Sequence, residues 1–447
     1  MVSRPFISRV LDHEARSLTA RLARVKPFAL IEPMIPAAAI SRPAQAGIED
    51  YLAGGRRELR SRIGQFRRWL QQPAGRDASP SEAHRRFTML RLRFNTVLSQ
   101  FDLFADVITQ RSEHETGVWL SGLDVVAADA LSLPGYYDAP PVVCYLDRGP
   151  GAAIRRARTR LPGGAENPVA IVRVPRERMV GSGIASSLVH EVGHQAAALL
   201  ELVESLRPIL KGMQQSGGRE RAAWAYWERW ISEIVADFWS VARVGVGSTM
   251  GLMSVVSLPR AFVFRISEDD PHPVPWIRVK LSCAIGQALY PHAQWGTLGE
   301  LWDSFYPTDD LNQRTREVLE LLVASLPGFV ALLVNHRPRA LRGKSLTEVM
   351  ATHERQPARL TSYFKAWRGS PKSMRSAPPS LVFAVLSQAR MNGDLSPEKE
   401  GRMLSYLLTY WALQSVLQGP TRGVSGVAAR GDCGCAPRVP VKYVTLS

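Results

Sequence analysis

The sequence contains only four cysteines among 447 residues. Cys144 and Cys283 are isolated, and Cys433 and Cys435 form a Cys-Gly-Cys pair near the C-terminus. So few cysteines exclude a disulfide framework and are typical of a protein from a reducing compartment. Two cysteines alone are also an incomplete metal site, so the pair is assigned no role.

The sequence also lacks a recognisable export signal and a long apolar run. The N-terminal segment carries arginines but no unbroken apolar core followed by a small-residue cleavage site. The longest apolar run, LLVASLPGFVALLV at residues 321–334, is short for a membrane span, and its Pro-Gly pair predicts a break. We therefore expect a soluble, cytoplasmic protein without a membrane span, with non-classical export left open.

Acidic residues are in deficit, since 40 Asp and Glu stand against 56 Lys and Arg. A basic chain suggests a nucleic-acid partner. The basic residues are spread along the whole sequence, however, and no DNA- or RNA-binding motif accompanies them. Background composition is the favoured explanation, and we expect no specific nucleic-acid partner.

Apolar periodicity divides the chain into four regions. Residues 1–110 are predicted to be basic and helical, residues 111–285 to form the core, residues 286–424 to be helical, and residues 425–447 to be a Gly- and Pro-rich tail. Within the core, residues 140–147 and 167–175 are β-branched runs typical of strands. The fold class predicted is α+β and predominantly α-helical, with a small sheet. The second strand is a candidate sheet edge for an extended peptide.

The core region contains the motif HEVGH, with His190, Glu191 and His194 in a strongly apolar segment. Residues four apart lie on the same face of a helix, so both imidazoles can bind one metal ion while the glutamate lies beside a metal-bound water. The alternative is a core helix whose histidines are satisfied by hydrogen bonds. Because burying two imidazoles and a carboxylate without a metal is costly, we favour a Zn²⁺ site.

A third ligand is needed, and several positions compete for that role. In the extended pattern HExxHxxGxxH it would be a histidine, but that position is Leu200. Glu201 is displaced by about 10 Å along the helix axis, too far to share the metal. A downstream helix offers Glu233, with Asp237 four residues later as an acceptor for a ligand histidine. Glu228 is a rival, but a serine follows it at that spacing, so Glu233 is preferred.

HEVGH followed by SEIVADF resembles the gluzincin clan of zinc metallopeptidases, whose third ligand is the Glu of a downstream ExxxD motif. The form ExxAD is most similar to the HtpX-like branch. The resemblance covers roughly residues 185–280 and implies a zincin-like core. It pairs the two motifs in one site, with Zn²⁺ bound by His190, His194 and Glu233, Glu191 as general base, and Asp237 orienting a histidine. That branch commonly carries membrane helices, so its substrates are not carried over.

The same branch often carries a His-Pro and a following Arg, which correspond here to His272 and Arg278 in EDDPHPVPWIRVKL. Either could stabilise the oxyanion formed when hydroxide attacks a carbonyl. The alternatives are a rigid Pro-His-Pro loop and a surface arginine. The tryptophan series Trp224, Trp227 and Trp230 favours packing over a substrate platform.

These features together predict a zinc-dependent metallopeptidase that acts on a peptide or protein substrate. One alternative is a zinc-binding but catalytically silent interaction protein that contacts a protein partner through its helical flanks. Another is an exported effector or toxin with a metallopeptidase-like site.

Overall fold

The structure is a computed structural model that describes residues 3–25, 34–148, 151–161, 165–176, 183–215, 218, 220–267, 269–368 and 371–417. The predicted tail at residues 425–447, with Cys433 and Cys435, lies outside the described residues. The described chain is predominantly α-helical with one small mixed sheet, which confirms the predicted fold class.

Helices and strands are numbered separately in chain order. They are α1 (Arg4–Arg24), α2 (Arg42–Gln71), α3 (Pro73–Arg76), α4 (Pro80–Thr109), α5 (His114–Leu131), β1 (Val142–Asp147), β2 (Ala153–Arg155), β3 (Ala170–Pro175), α6 (Gly183–Leu199), α7 (Leu202–Gln215), α8 (Arg221–Val244), α9 (Val246–Val256), α10 (Arg260–Val263), α11 (Pro275–Leu289), α12 (Gln294–Phe305), α13 (Gln313–Asn335), α14 (Leu346–Val349), α15 (Pro357–Arg368), α16 (Pro371–Ser376), α17 (Pro379–Met391) and α18 (Pro397–Leu417).

The sheet has the order β1-β3-β2, with β3 at its centre. β1 pairs with β3 in parallel and β2 pairs with β3 antiparallel. Both predicted strands are therefore present. The prediction that the second of them is a sheet edge is wrong, because β2 occupies that side. β2 has only three residues, too few to give a periodic pattern in the sequence. The edge next to the HEVGH helix is β2.

Both faces of the sheet are buried, and successive residues face opposite sides of it. Cys144 and Val172 join the main hydrophobic cluster, which extends from α5 to α18. Val143 and Ile171 join a second cluster formed mostly by α1, α2 and α4. The main cluster includes residues on both sides of position 285. The region boundaries at residues 110, 285 and 424 stay predictions.

The apolar run at residues 321–334 lies in α13, which continues through Pro327. The predicted break is wrong, because Pro327 is on the exposed side, where a carbonyl that loses its intrahelical partner can face water. By length and composition, α13 is the one helix among the described residues that could cross a membrane. One of its faces, with Leu322 and Phe329, is fully buried in the main cluster.

The three tryptophans of α8 are buried in the main cluster, as the packing interpretation expects. The Trp227 ring stacks on Phe329 with 4.6 Å between centroids, and its Nε1 donates to Ser325 Oγ at 2.9 Å. These contacts join α8 to α13.

Replacing Trp227 by Ala is expected to lower the free energy of unfolding by about 3–5 kcal/mol, because it leaves a large cavity and removes the hydrogen bond to Ser325 Oγ. Chemical denaturation measures the change. Leu417→Ala is the control, since Leu417 is 75% exposed and should change stability little. Equal unfolding midpoints for both variants would contradict the packing described.

Candidate metal centre

The HEVGH motif lies on α6, within a helix whose other faces are buried by apolar side chains. His190 and His194 lie on one face as predicted, with their rings edge to face and 4.9 Å between centroids. Glu191 is buried beside them. The motif is therefore presented from a rigid element in the interior.

The downstream carboxylates lie on α8, where Glu233 and Asp237 are both buried. They are four residues apart and so share the face that contacts α6. Glu233 is the residue that reaches both histidines: its Oε2 lies 3.2 Å from His190 Nε2, and its Oε1 lies 3.4 Å from His194 Nε2.

The two helices approach closely because small residues meet at their crossing. A Cβ atom placed on Gly193 would lie 2.9 Å from both Cα and the carbonyl oxygen of Ala236, and 3.0 Å from Trp239 Cβ. Those distances leave no space for a methyl group. The glycine of HEVGH and the alanine of ExxAD are therefore packing residues that bring the two motifs together.

The donor atoms suit a divalent cation. One nitrogen from each histidine and one oxygen of Glu233 all lie within 4.8 Å of one another. Bond lengths of about 2.0–2.1 Å place two ligands of a tetrahedral ion about 3.3–3.4 Å apart. Each histidine has one Glu233 oxygen near that spacing: Oε2 is 3.2 Å from His190 Nε2, and Oε1 is 3.4 Å from His194 Nε2. Glu233 Oε2 is also buried without a regular hydrogen-bond partner, so its lone pairs are available to a cation.

Asp237 lies between a histidine and an arginine. Its Oδ1 is 2.8 Å from His190 Nδ1, a contact without regular hydrogen-bond angles. Arg278, at the start of α11, donates to Asp237 from Nε at 2.7 Å and from Nη2 at 2.9 Å. This paired geometry holds the carboxylate in one orientation. Asp237 is thus placed to orient the His190 ring.

His272 and Arg278, both predicted for an oxyanion role, come to the same site. His272 Nε2 is 3.4 Å from Glu233 Oε2, and half of its side chain is exposed. Arg278 is largely buried, and its Nη2 is 3.6 Å from Glu233 Oε2. Because Asp237 already engages two nitrogens of Arg278, the more accessible donor at the site is His272.

One residue that the sequence reasoning missed is Asp270. Its Oδ1 accepts the backbone N–H of His272 at 3.0 Å and lies 2.7 Å from His272 Nδ1. An Asp two residues before a residue whose backbone N–H it accepts is the signature of an Asx-turn, and this was the available signal. The turn fixes the ring with its Nε2 toward Glu233.

Burial and neighbouring charges shift the pKa values of the site residues in opposite directions. Burial raises the pKa of Glu191 above its usual value. Burial alone would also raise the pKa of Glu233, but contacts with His190 and His194 hold it well below its usual range. Against burial, Arg278 and His190 lower the pKa of Asp237 to about 2. Burial would lower the pKa of His190, yet Asp237 and Glu233 raise it to about 9.

The rejected ligand candidates lie away from these groups. Leu200 is fully buried in the main cluster, and Glu201 is exposed in the turn that follows α6, with a positive φ of 51°. Glu228 forms an ion pair with Arg207 of α7, at 2.8 Å between Oε1 and Nε. None of the three belongs to the ligand cluster formed by the described residues.

A cavity of about 130 Å³ opens beside His190 and Glu191. Its walls come from α6, from the start of α11, from Leu252 and Val255 of α9, and from Gly151 and Ala152, which lead directly into β2. The α9 contribution was missed because nothing in its sequence indicates chemistry. The segment that leads into the sheet edge β2 thus forms part of the cavity wall.

No protein-family model, no curated protein and no solved structure matches this chain. Its chemistry is therefore inferred from its own residues.

Gly193→Ala is expected to lower the free energy of unfolding by about 1–3 kcal/mol and to weaken metal binding, because the added methyl separates α6 from α8. Denaturation and a competition titration with Zn²⁺ measure the two effects. The matched control is Gly299→Ala on α12, where a Cβ meets nothing within 4 Å and the better helix former should stabilise slightly. Similar behaviour of the two variants would contradict the close helix crossing.

The apparent affinity for Zn²⁺ is expected to rise about tenfold per pH unit from pH 6.5 toward pH 9. His190 must lose a proton to bind a metal, and its pKa of about 9 means that the proton is held throughout this interval. Competition titrations at several pH values measure the slope, and calorimetry in buffers of different ionisation enthalpy counts the released proton. An affinity independent of pH would contradict the raised pKa.

Proposed function

We propose that the chain is a zinc-dependent metallopeptidase of gluzincin-like design. The observation that carries the proposal is the meeting of His190, His194 and Glu233 within one small volume, with the buried carboxyl of Glu191 next to them. Two imidazoles and one carboxylate are a donor set of catalytic zinc sites, which keep a position open for water or substrate. A bound Zn²⁺ ion would act as a Lewis acid and lower the pKa of water to about 7.

The protein's own residues transfer the proton, stabilise the oxyanion and position the ligand histidine. Glu191 accepts a proton from the attacking water and passes it to the leaving amine, and the raised pKa that burial gives its carboxyl makes it a stronger base. His272, as an imidazolium whose Nδ1–H faces Asp270, donates a hydrogen bond from Nε2 to the developing oxyanion. Arg278 holds Asp237, and Asp237 holds the ring of His190, so these two act as positioning residues.

The sheet edge supports a peptide as substrate. β2 pairs with β3 on one side only among the described strands. Gly151 and Ala152, immediately before β2, also line the cavity. An extended peptide that adds to β2 as a further strand would therefore pass the cavity with its carbonyl groups in reach.

A second candidate is a metal-binding protein without catalytic activity, which contacts a protein partner through its helical flanks. The small volume of the cavity, about 130 Å³, favours it, because a peptide needs more room than the described walls leave. Cleavage therefore requires the walls to separate when substrate binds.

Glu191→Gln is expected to lower peptidase activity on an unfolded polypeptide by about 10²–10⁴-fold while Zn²⁺ stays bound, because only the proton acceptor is lost. Activity and metal content are measured together. Glu201→Gln, in the exposed turn just after the same helix, is the matched control and should keep full activity. An active Glu191→Gln variant rejects the mechanism, whereas bound zinc with an inactive native protein supports the silent alternative.

Glu233→Ala and His190→Ala are each expected to abolish stoichiometric zinc binding, because two ligands alone hold the ion weakly. Metal analysis after dialysis measures the loss. Glu228→Ala is the control and should keep its zinc, since Glu228 pairs with Arg207. Zinc retained by Glu233→Ala would reject Glu233 as a ligand.

A further inference from the structure

A second and larger cavity lies in the C-terminal helices, away from the candidate metal centre. It has a volume of about 470 Å³ and is enclosed by α15, α16, the loop before α18, and the first half of α18. This volume lies within the range of about 300–1,000 Å³ that is typical of small-molecule sites. We name it the C-terminal cavity.

Its walls are apolar. Phe364 and Trp367 of α15, Met374 of α16 and Leu407 of α18 line it, and each of these side chains is otherwise buried. Met403 of α18 completes the wall. Methionine side chains adapt to the shape of a flexible apolar ligand. The lining therefore suits a hydrocarbon chain better than a polar metabolite.

The rim of the C-terminal cavity is positively charged. It carries Arg368, Arg375 and Lys399 against the single acidic residue Asp394. Within the described chain, none of these three cations forms an ion pair with a carboxylate. Arg368 stacks on Phe364 and donates to the backbone oxygen of Asp394 at 2.7 Å. Positive charge at this rim is thus left without a charged partner.

The two arginines are held in place by neutral groups. Arg375 Nη1 donates to the Tyr406 hydroxyl at 3.0 Å, and the guanidinium lies 5.1 Å from the centre of the Tyr410 ring. Arg375 Nε is buried without a hydrogen-bond acceptor. A carboxylate at the rim would supply the missing charge, and charge-assisted hydrogen bonds of this kind are among the stronger ones.

The protein's own C-terminal segment is a poor occupant. Residues 418–447 contain four basic residues and one acidic residue. Like charges at the rim would oppose the entry of that segment.

We propose that the C-terminal cavity binds an amphipathic carboxylate of the fatty-acid class. Its hydrocarbon chain lies between Trp367 and Met403, and its carboxylate lies at Arg368, Arg375 and Lys399. This site is separate from the metal centre and does not depend on peptidase activity.

Calorimetric titration of the full chain with octanoate, decanoate and dodecanoate, each below its micelle concentration, tests the proposal. Each added CH₂ is expected to tighten binding about fourfold, because it moves one more apolar group out of water. Dodecyltrimethylammonium has the same chain and the opposite charge, and it should bind at least tenfold more weakly than dodecanoate. No saturable binding of dodecanoate, or equal affinity for the two charges, overturns the proposal.

Two variants locate the ligand. Met403→Trp fills the cavity and should weaken dodecanoate binding at least tenfold, and Arg375→Gln should weaken it several-fold without changing the gain per CH₂. Arg359→Gln, on the exposed side of the same helix α15, is the matched control and should bind normally. Circular dichroism confirms that each variant is folded. Unchanged affinity in Met403→Trp places the ligand elsewhere and overturns the assignment.

Discussion

The close crossing of α6 and α8 is the constraint on which the candidate metal centre depends. Gly193 and Ala236 leave no room for another methyl group where the helices meet, and this contact sets the distance between the two histidines and Glu233. Neither helix holds a complete ligand set, and the sequence separates their motifs by about forty residues. The close approach of Gly193 to the backbone of Ala236 therefore brings the two motifs together in one candidate site.

Charge balance is the second requirement of this interior. Glu233 and Asp237 are both buried and both held in the charged form, which is costly without partners. Arg278 supplies a permanent positive charge, and His190 supplies a proton that a metal ion can replace. The site is thus electrostatically prepared for exchange between a proton and a cation at His190.

Features that depend on local residue spacing could be predicted from the sequence. Features that depend on packing between distant segments could not. The histidine pair follows from helical periodicity, and Glu233 was preferred for its spacing to Asp237 after Leu200 and Glu201 were excluded. The pairing of the two motifs in one site came from the resemblance to gluzincins. β2 was not predicted, because a strand of three residues is too short to show an alternating pattern. The residues that line both cavities were not predicted, because Leu252, Met403 and their neighbours come together only when distant helices pack. The break predicted at Pro327 is absent, because a helix tolerates proline on its solvent-exposed side, and the sequence does not show which side of α13 faces water.

The sheet connects the N-terminal helices to the metal centre through alternate residues of one strand. In β3, Val172 faces the cluster that contains α6, while Ile171 faces the helices of the N-terminal region. Removal of those helices would expose one whole face of a three-stranded sheet to water. The N-terminal helices therefore support the sheet on the side opposite the candidate site, so their loss would destabilise that site by weakening the fold around it.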